Sequence, residues 1–74
     1  MKRAPVTSSN LEAIGYHPES RTLEIEFRHG GVCQYYNVPM ERYVALMSAG
    51  SKGRFFDRFI KKAGYSYRKV SEYD

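Results

Sequence analysis

Hydrophobic and polar residues alternate most cleanly between Arg21 and Arg28, where Leu23, Ile25 and Phe27 interleave with Thr22, Glu24, Glu26 and Arg28. Successive strand side chains point to opposite faces, so this segment predicts a strand with one buried and one wet face. Upstream, Ile14-Gly15-Tyr16 reads as a strand fragment, and His17-Pro18-Glu19-Ser20 as the turn between the two, with Pro18 presetting a type I backbone angle. That turn sets Ile14 opposite Leu23 and Tyr16 opposite Arg21. Val6 to Ser9 carries little pattern beyond the start of a short edge strand at Val6.

Parity decides how the chain returns after Phe27. A two-residue loop at His29-Gly30 or Gly30-Gly31 would send Gln34 and Tyr36 to the core and leave Cys33 and Tyr35 in water. A three-residue loop, His29-Gly30-Gly31 with Gly31 left-handed, pairs Phe27 with Cys33 and Ile25 with Tyr35. The second register is preferred because it buries the thiol and frees the core of glutamine. Glu24, Glu26, Gln34 and Tyr36 then share the outer face, which suits phosphate poorly.

The period changes after Pro39, a residue suited to the first turn of a helix. Met40, Tyr43, Val44 and Met47 recur at helical spacing with Leu46 beside them, and Gly50 is expected to stop the helix. Such a stripe is expected to cover the sheet. Ser51 caps a second helix, which is expected to run to Gly64. At about 100° per residue, Phe55, Phe56, Phe59 and Ile60 fall on one side and Arg54, Arg58, Lys61 and Lys62 on the other. Residues 65 to 74 alternate weakly and read either as a last edge strand or as a frayed terminus.

At 74 residues the chain holds one domain, with a core from about residue 6 to residue 64. Seven tyrosines and four phenylalanines supply that core with large apolar area for few ordered torsions. The single cysteine and the absence of a Cys/His cluster exclude a disulfide framework, and neither a metal nor another cofactor is expected. The basic Met1-Lys2-Arg3 is followed by Ala4-Pro5-Val6-Thr7-Ser8-Ser9-Asn10 and not by an apolar run. Neither a signal peptide nor a membrane partner is therefore expected, and the cytoplasm is the expected location.

Charge placement changes the picture more than the net +4. Residues 1 to 50 hold five basic and five acidic side chains, whereas residues 51 to 74 hold seven basic and three acidic ones. The whole excess lies in the last third, which points either to an anionic partner or to a solvated face that keeps the chain soluble. Within it, Ser51-Lys52-Gly53-Arg54 joins a hydroxyl, free amides and two cations at a helix start, an arrangement able to hold an anion. Cations there oppose the helix dipole, so helix stability alone would not place them. A serine-capped helix junction with a closely packed glycine explains the same residues without a ligand.

Lys52, Arg54, Arg58, Lys61 and Lys62 form the expected nucleic-acid contacts, with Tyr36 as a candidate stacking ring and Arg68, Lys69, Tyr65 and Tyr67 available to extend the surface. The competing role of Tyr36 is packing at the sheet edge. Catalysis is not expected, because His17 and His29 fall in turns without a partner at useful spacing and Cys33 is expected to be buried. Glu24 and Glu26 read as ordinary surface acids.

With these residues in place, the chain resembles the KTSC domain, which occurs alone in bacteria and phages and at the C-terminus of some lysyl-tRNA synthetases. The likeness covers about Val6 to Tyr65. It rests on Ser8-Ser9, Ile14-Gly15-Tyr16, Leu23 to Phe27, the glycine turn before Tyr35, Asn37-Val38-Pro39, Ala49-Gly50-Ser51-Lys52-Gly53, Phe55-Phe56 and Ile60-Lys61, in that order. The family shows tyrosine, any residue, tyrosine in its middle strand; here the first position is Cys33 and the second Tyr35. The resemblance implies RNA as a ligand class, through the attachment to a tRNA-handling enzyme.

The combined expectation is an α+β domain: a three-stranded antiparallel meander, open to an additional edge strand, covered on one face by two C-terminal helices. Its expected role is noncatalytic binding of RNA or single-stranded DNA through the second helix. The alternative is a protein-interaction or homodimerisation module, since association would help stabilise a small core.

Overall fold

The computed structural model describes residues 3–70. Five strands form one antiparallel sheet in chain order: β1 (Ala4–Pro5), β2 (Leu11–His17), β3 (Thr22–Phe27), β4 (Val32–Tyr35) and β5 (Tyr67–Val70). Between β4 and β5 come the helices α1 (Met40–Ser48) and α2 (Lys52–Phe59) and a 3-10 turn, Lys61–Ala63. The expectation of a three-stranded sheet is thus corrected by two further edge strands. β5 pairs the whole of β4, from Val32 opposite Val70 to Tyr35 opposite Tyr67, and β1 sets Ala4 opposite Ile14. Edge pairing satisfies backbone groups, for which side-chain alternation is a poor guide. Of the segment after Gly64, Tyr67–Val70 is therefore strand, and residues 71 to 74 lie outside the described residues.

Both hairpins keep the expected faces in a register displaced by two residues. Ile14 lies opposite Ile25 and Tyr16 opposite Leu23, so the first loop is Pro18 to Arg21, with Arg21 left-handed at φ 56°. Ile25 lies opposite Cys33 and Leu23 opposite Tyr35, so the second loop is Arg28 to Gly30, and Gly30 (φ 105°), not Gly31, is left-handed. The Phe27 N–H donates to Gly31 O at 2.8 Å and the Gly30 N–H to Phe27 O at 2.9 Å, closing that turn. A slip of two residues leaves each side chain on its original face. A bulge between Leu11 and Ala13 changes the phase within β2, so that Leu11 and Ile14 both reach the core.

The core lies between the sheet and the helices. Leu11, Ile14, Leu23, Ile25 and Tyr35 from the sheet meet Val38, Leu46, Phe56 and Ile60. Complete burial of an aliphatic side chain such as Leu46 or Ile60 contributes roughly 2 kcal/mol before the entropy of ordering it. Asn37, left-handed at φ 59°, turns the chain from β4 into α1, and Tyr16 Oη donates to Val38 O at 2.6 Å beneath that corner. Asparagine tolerates this conformation better than branched residues do.

The face that α1 buries differs from expectation. Tyr43, Leu46 and Met47 pack on the core, with Tyr43 stacked on Tyr16 at 4.7 Å, whereas Met40 and Val44 are half exposed. The stacking partner on β2 selects the Tyr43 side of the stripe. α1 ends in extended backbone at Ala49, with no left-handed Gly50 cap.

The opposite sheet face carries a polar network. Glu24, buried to 4 % exposure, accepts from Gln34 Nε2 at 2.7 Å and from Arg3, and Arg3 also donates to Glu26 at 3.2 Å. These acids were expected at a wet surface; Arg3, held beside the sheet by β1, covers them.

Candidate nucleic-acid interface

Ser51 starts α2 as expected, its hydroxyl accepting from the Arg54 N–H at 3.4 Å. The cap uses one acceptor site of the hydroxyl and leaves its O–H to donate. Lys52 turns back, and its Nζ donates to Ala49 O at 3.2 Å at the end of α1. A cation beside the last carbonyls of one helix is favourable, which explains a lysine at the unfavourable start of the next. Gly53 faces the Ser8 to Asn10 loop, where a β-carbon would stand 3.4 Å from Ser8 Oγ and 3.8 Å from Asn10 Nδ2. Ser51, Gly53 and Arg54 line one depression, and Lys52 alone of the four expected anion-binding residues turns away from it.

Three of the expected cations do share a cleft. Arg54 and Arg58, one turn apart, line a depression with Ser51, Gly53, Asp57 and Lys62 on the α2 side and Ser9 and Asn10 across it. Neither arginine makes an ion pair with an acid among the described residues, whereas Lys62 bridges to Asp57 at 3.1 Å. Arg58 also lies over the Phe59 ring, 5.6 Å from its centroid, with Arg42 of α1 at 5.4 Å. These contacts hold guanidinium groups above a partly exposed ring.

Lys61 leaves this group. α2 ends at Phe59, not near Gly64: Ile60, with φ −116° and ψ −61°, breaks the α-helical path, and the chain tightens into the 3-10 turn before left-handed Gly64. Ile60 is fully buried, and Lys61 is carried to the β3–β4 side, where it borders a second depression with Arg28, His29, Phe27 and Phe56. The two depressions share Ser9, Asn10, Gly53 and Asp57. A third, toward β5, shares Phe27, His29, Phe56 and Lys61 with the second and ends at Lys69 and Tyr67. Together they form a furrow from the start of α2 to the edge strand, with cations along its length.

Tyr36 is not brought to this furrow. Its hydroxyl donates to Gln34 Oε1 at 3.1 Å, joining the polar network on the other sheet face. Arg68, opposite Gln34, shares that face, while Lys69, opposite Cys33, stands on the furrow side. Sequence reasoning missed Ser9, Asn10, Arg28, His29 and Arg42 as neighbours of the site. Ser8 Oγ accepts from the amides of Asn10 and Leu11 at 3.3 Å, but Val6 to Ser9 carries no pattern that announces this turn, and nothing local places it against α2.

Among the described residues the titratable groups do not assemble a catalytic centre: His29 and Asp57 line one depression, but no hydrogen bond or ion pair joins them. His17 sits 4.0 Å from Glu19 in an exposed turn, with Nδ1 3.0 Å from Ser20 Oγ. Burial raises the Cys33 thiol above its ordinary range, with Lys69 and Lys61 pulling it partly back. Among the described residues, no group of three or more His, Cys, Asp or Glu side chains could hold a metal ion, and no helix is long and apolar enough to cross a membrane.

Comparison with known proteins places this geometry in a family. The KTSC domain profile matches residues 7–67. The crystal structure of a KTSC domain protein from Yersinia pestis superposes with a TM-score of 0.89 at 48% identity, covering 95% of this chain and 97% of that one. An uncharacterized protein of Stutzerimonas stutzeri is 41% identical over 70 residues, 95% of this chain and 99% of its own. A lysine–tRNA ligase of Nostoc is 36% identical over 63 residues, which are 85% of this chain but 11% of the ligase. A profile match over most of the length, with a superposable fold, shows that the chain belongs to the KTSC domain family.

Proposed function

We propose that the chain is a noncatalytic module of the cytoplasm that binds single-stranded or structured nucleic acid, RNA foremost, through the α2 side of the furrow. The observation that carries this reading is the pair Arg54 and Arg58, side by side on one cleft and in no ion pair among the described residues, the cleft's one carboxylate, Asp57, being bridged to Lys62. Guanidinium groups suit phosphate, and Ser9 and Asn10 across the cleft add neutral hydrogen-bonding groups that commonly accompany backbone contacts. The match to segments of three lysine–tRNA ligases supports RNA over DNA, since those enzymes handle tRNA. Phosphate attraction without a rigid reader of base edges gives binding with little sequence discrimination.

Fluorescence anisotropy of labelled single-stranded RNA, single-stranded DNA and duplex DNA at low and physiological salt tests the reading. The expected result is RNA affinity that falls with salt, with a slope of roughly 0.7 per phosphate contact. The Arg54→Glu/Arg58→Glu variant should lose binding and flatten the slope. Unchanged affinity in that variant, or no binding by the native chain, overturns the reading. The competing reading, self-association, draws on the half-exposed Met40 and Val44 of α1 and predicts a dimer in sedimentation that persists at high salt.

A further inference from the structure

The β5 end of the furrow differs in character from the α2 end. Its walls are rings: Phe56 meets Phe27 and Tyr35 edge-on, each at 5.5 Å between centroids, and Tyr67 stacks on Tyr35 at 5.4 Å. The space among them is about 400 Å³, within the range of small-molecule pockets. Lys61 and Lys69 stand at its border, and no carboxylate lines it among the described residues.

Tyr67 is the residue the fold does not explain. Its register partner is Tyr35, so it shares the sheet side covered by the helices, yet it is 64% exposed whereas Tyr35 is 4% exposed. The helices cover Tyr35 and leave Tyr67 largely open. An aromatic left open beside three others, between two lysines, presents an apolar slot with a cationic rim.

We propose that this slot takes one unstacked nucleobase of a bound single strand, which lies against Tyr67 while Lys61 and Lys69 hold the phosphates on either side. The inference rests on the nucleic-acid reading above and adds to it where a base, as opposed to a phosphate, is recognised. Charge complementarity and continuity select this occupant. The slot joins the Arg54 and Arg58 cleft through the depression that contains Lys61, so a strand held on the arginines is led to the rings. Every base has a π-face, so this contact adds affinity without demanding a sequence. The raised thiol of Cys33 keeps the floor neutral at physiological pH, which suits a base better than a thiolate would.

The test compares the full chain's binding to a short RNA with its binding to an abasic phosphodiester strand of equal length, in the native protein and in Tyr67→Ala, Tyr67→Phe and Arg54→Glu/Arg58→Glu. Base stacking should make the RNA at least about fivefold tighter than the abasic strand. Tyr67→Ala should erase that difference without changing abasic binding, Tyr67→Phe should retain it, and the double charge reversal should weaken both strands. Because Tyr67 is mostly exposed, the alanine variant should remain folded, which its thermal unfolding verifies. Equal binding of RNA and abasic strand by the native chain, or a Tyr67→Ala loss that is the same for both, overturns the base slot while leaving phosphate binding intact. Failure of both strands to bind overturns the reading beneath it.

Discussion

Gln34 donates its side-chain amide to Glu24 at 2.7 Å across β3 and β4, and Arg3 closes over the same carboxylate from the β1 side. A pair of acids on β3 thereby becomes an internal tie between the N-terminal edge of the sheet and its middle. It also withdraws these acids from solvent, on the face opposite the furrow.

Removing the Glu24 carboxylate should take the acceptor from Gln34 Nε2 and one carboxylate from Arg3, which keeps its bond to Glu26. Glu24→Ala is expected to destabilise the domain by about 2 kcal/mol, in the range for losing hydrogen bonds to a charged group. Glu24→Gln should cost less, because it retains an acceptor for Gln34. Urea unfolding of the two variants measures the difference; equal losses would show that the negative charge, absent from both variants, sets the cost, and not the acceptor that glutamine retains.

Gly53 has two functions to separate, helix position and close approach to the Ser8 loop. An alanine there meets Ser8 Oγ at 3.4 Å, ordinary contact distance, and improves helix propensity. Gly53→Ala should therefore be neutral or stabilising by up to about 1 kcal/mol. Gly53→Leu should push the Ser8 to Asn10 loop outward and weaken RNA binding more than stability. Thermal melts paired with anisotropy distinguish the two effects, and a destabilised alanine variant would contradict the spacing.

Tyr35 makes stability sensitive to alkaline pH. Burial, and secondarily the neighbouring Cys33 and Tyr67, push its phenol up to about 12, above the value of about 10 for an unfolded tyrosine. The unfolded chain thus loses the proton first. The contribution is fully present below pH 10 and is lost progressively up to about pH 12, amounting to roughly 2 kcal/mol. Urea unfolding from pH 8 to 12 should show this decline in the native chain and a shallower one in Tyr35→Phe.

Cys33 should behave as a shielded thiol. Since burial raises its pKa, iodoacetamide should modify the folded chain at pH 8 more slowly than the urea-unfolded chain. Replacing Lys69 by Gln removes a stabilising cation and should slow the folded-state reaction further. Equal rates for folded and unfolded protein would place the thiol at the surface.

The candidate site was legible in part. The excess of basic residues after position 50 and the separation of Arg54 and Arg58 from the phenylalanines are properties of spacing, and the structure brings those two arginines together on one cleft. A helix continued to Gly64 would keep Lys61 on the same stripe; the break at Ile60 sends it elsewhere. Lys52 opposes the dipole of its own helix, and its partner belongs to the preceding one.

What the sequence by itself determined was the side-chain face along β3 and β4, the existence of two amphipathic helices, and the serine that starts α2. These follow from periodicity and local hydrogen bonding, which need only neighbouring residues. Tertiary structure alone decided the pairing register, displaced by two residues because left-handed Arg21 and Gly30 set where each loop closes. It also decided that Ala4–Pro5 and Tyr67–Val70 are strands, since an edge strand is held by the backbone it meets and not by its own pattern. The furrow belongs to the same class: its walls come from the Ser8 loop, the β3–β4 turn, α2 and β5, segments far apart in the chain that only packing can bring together.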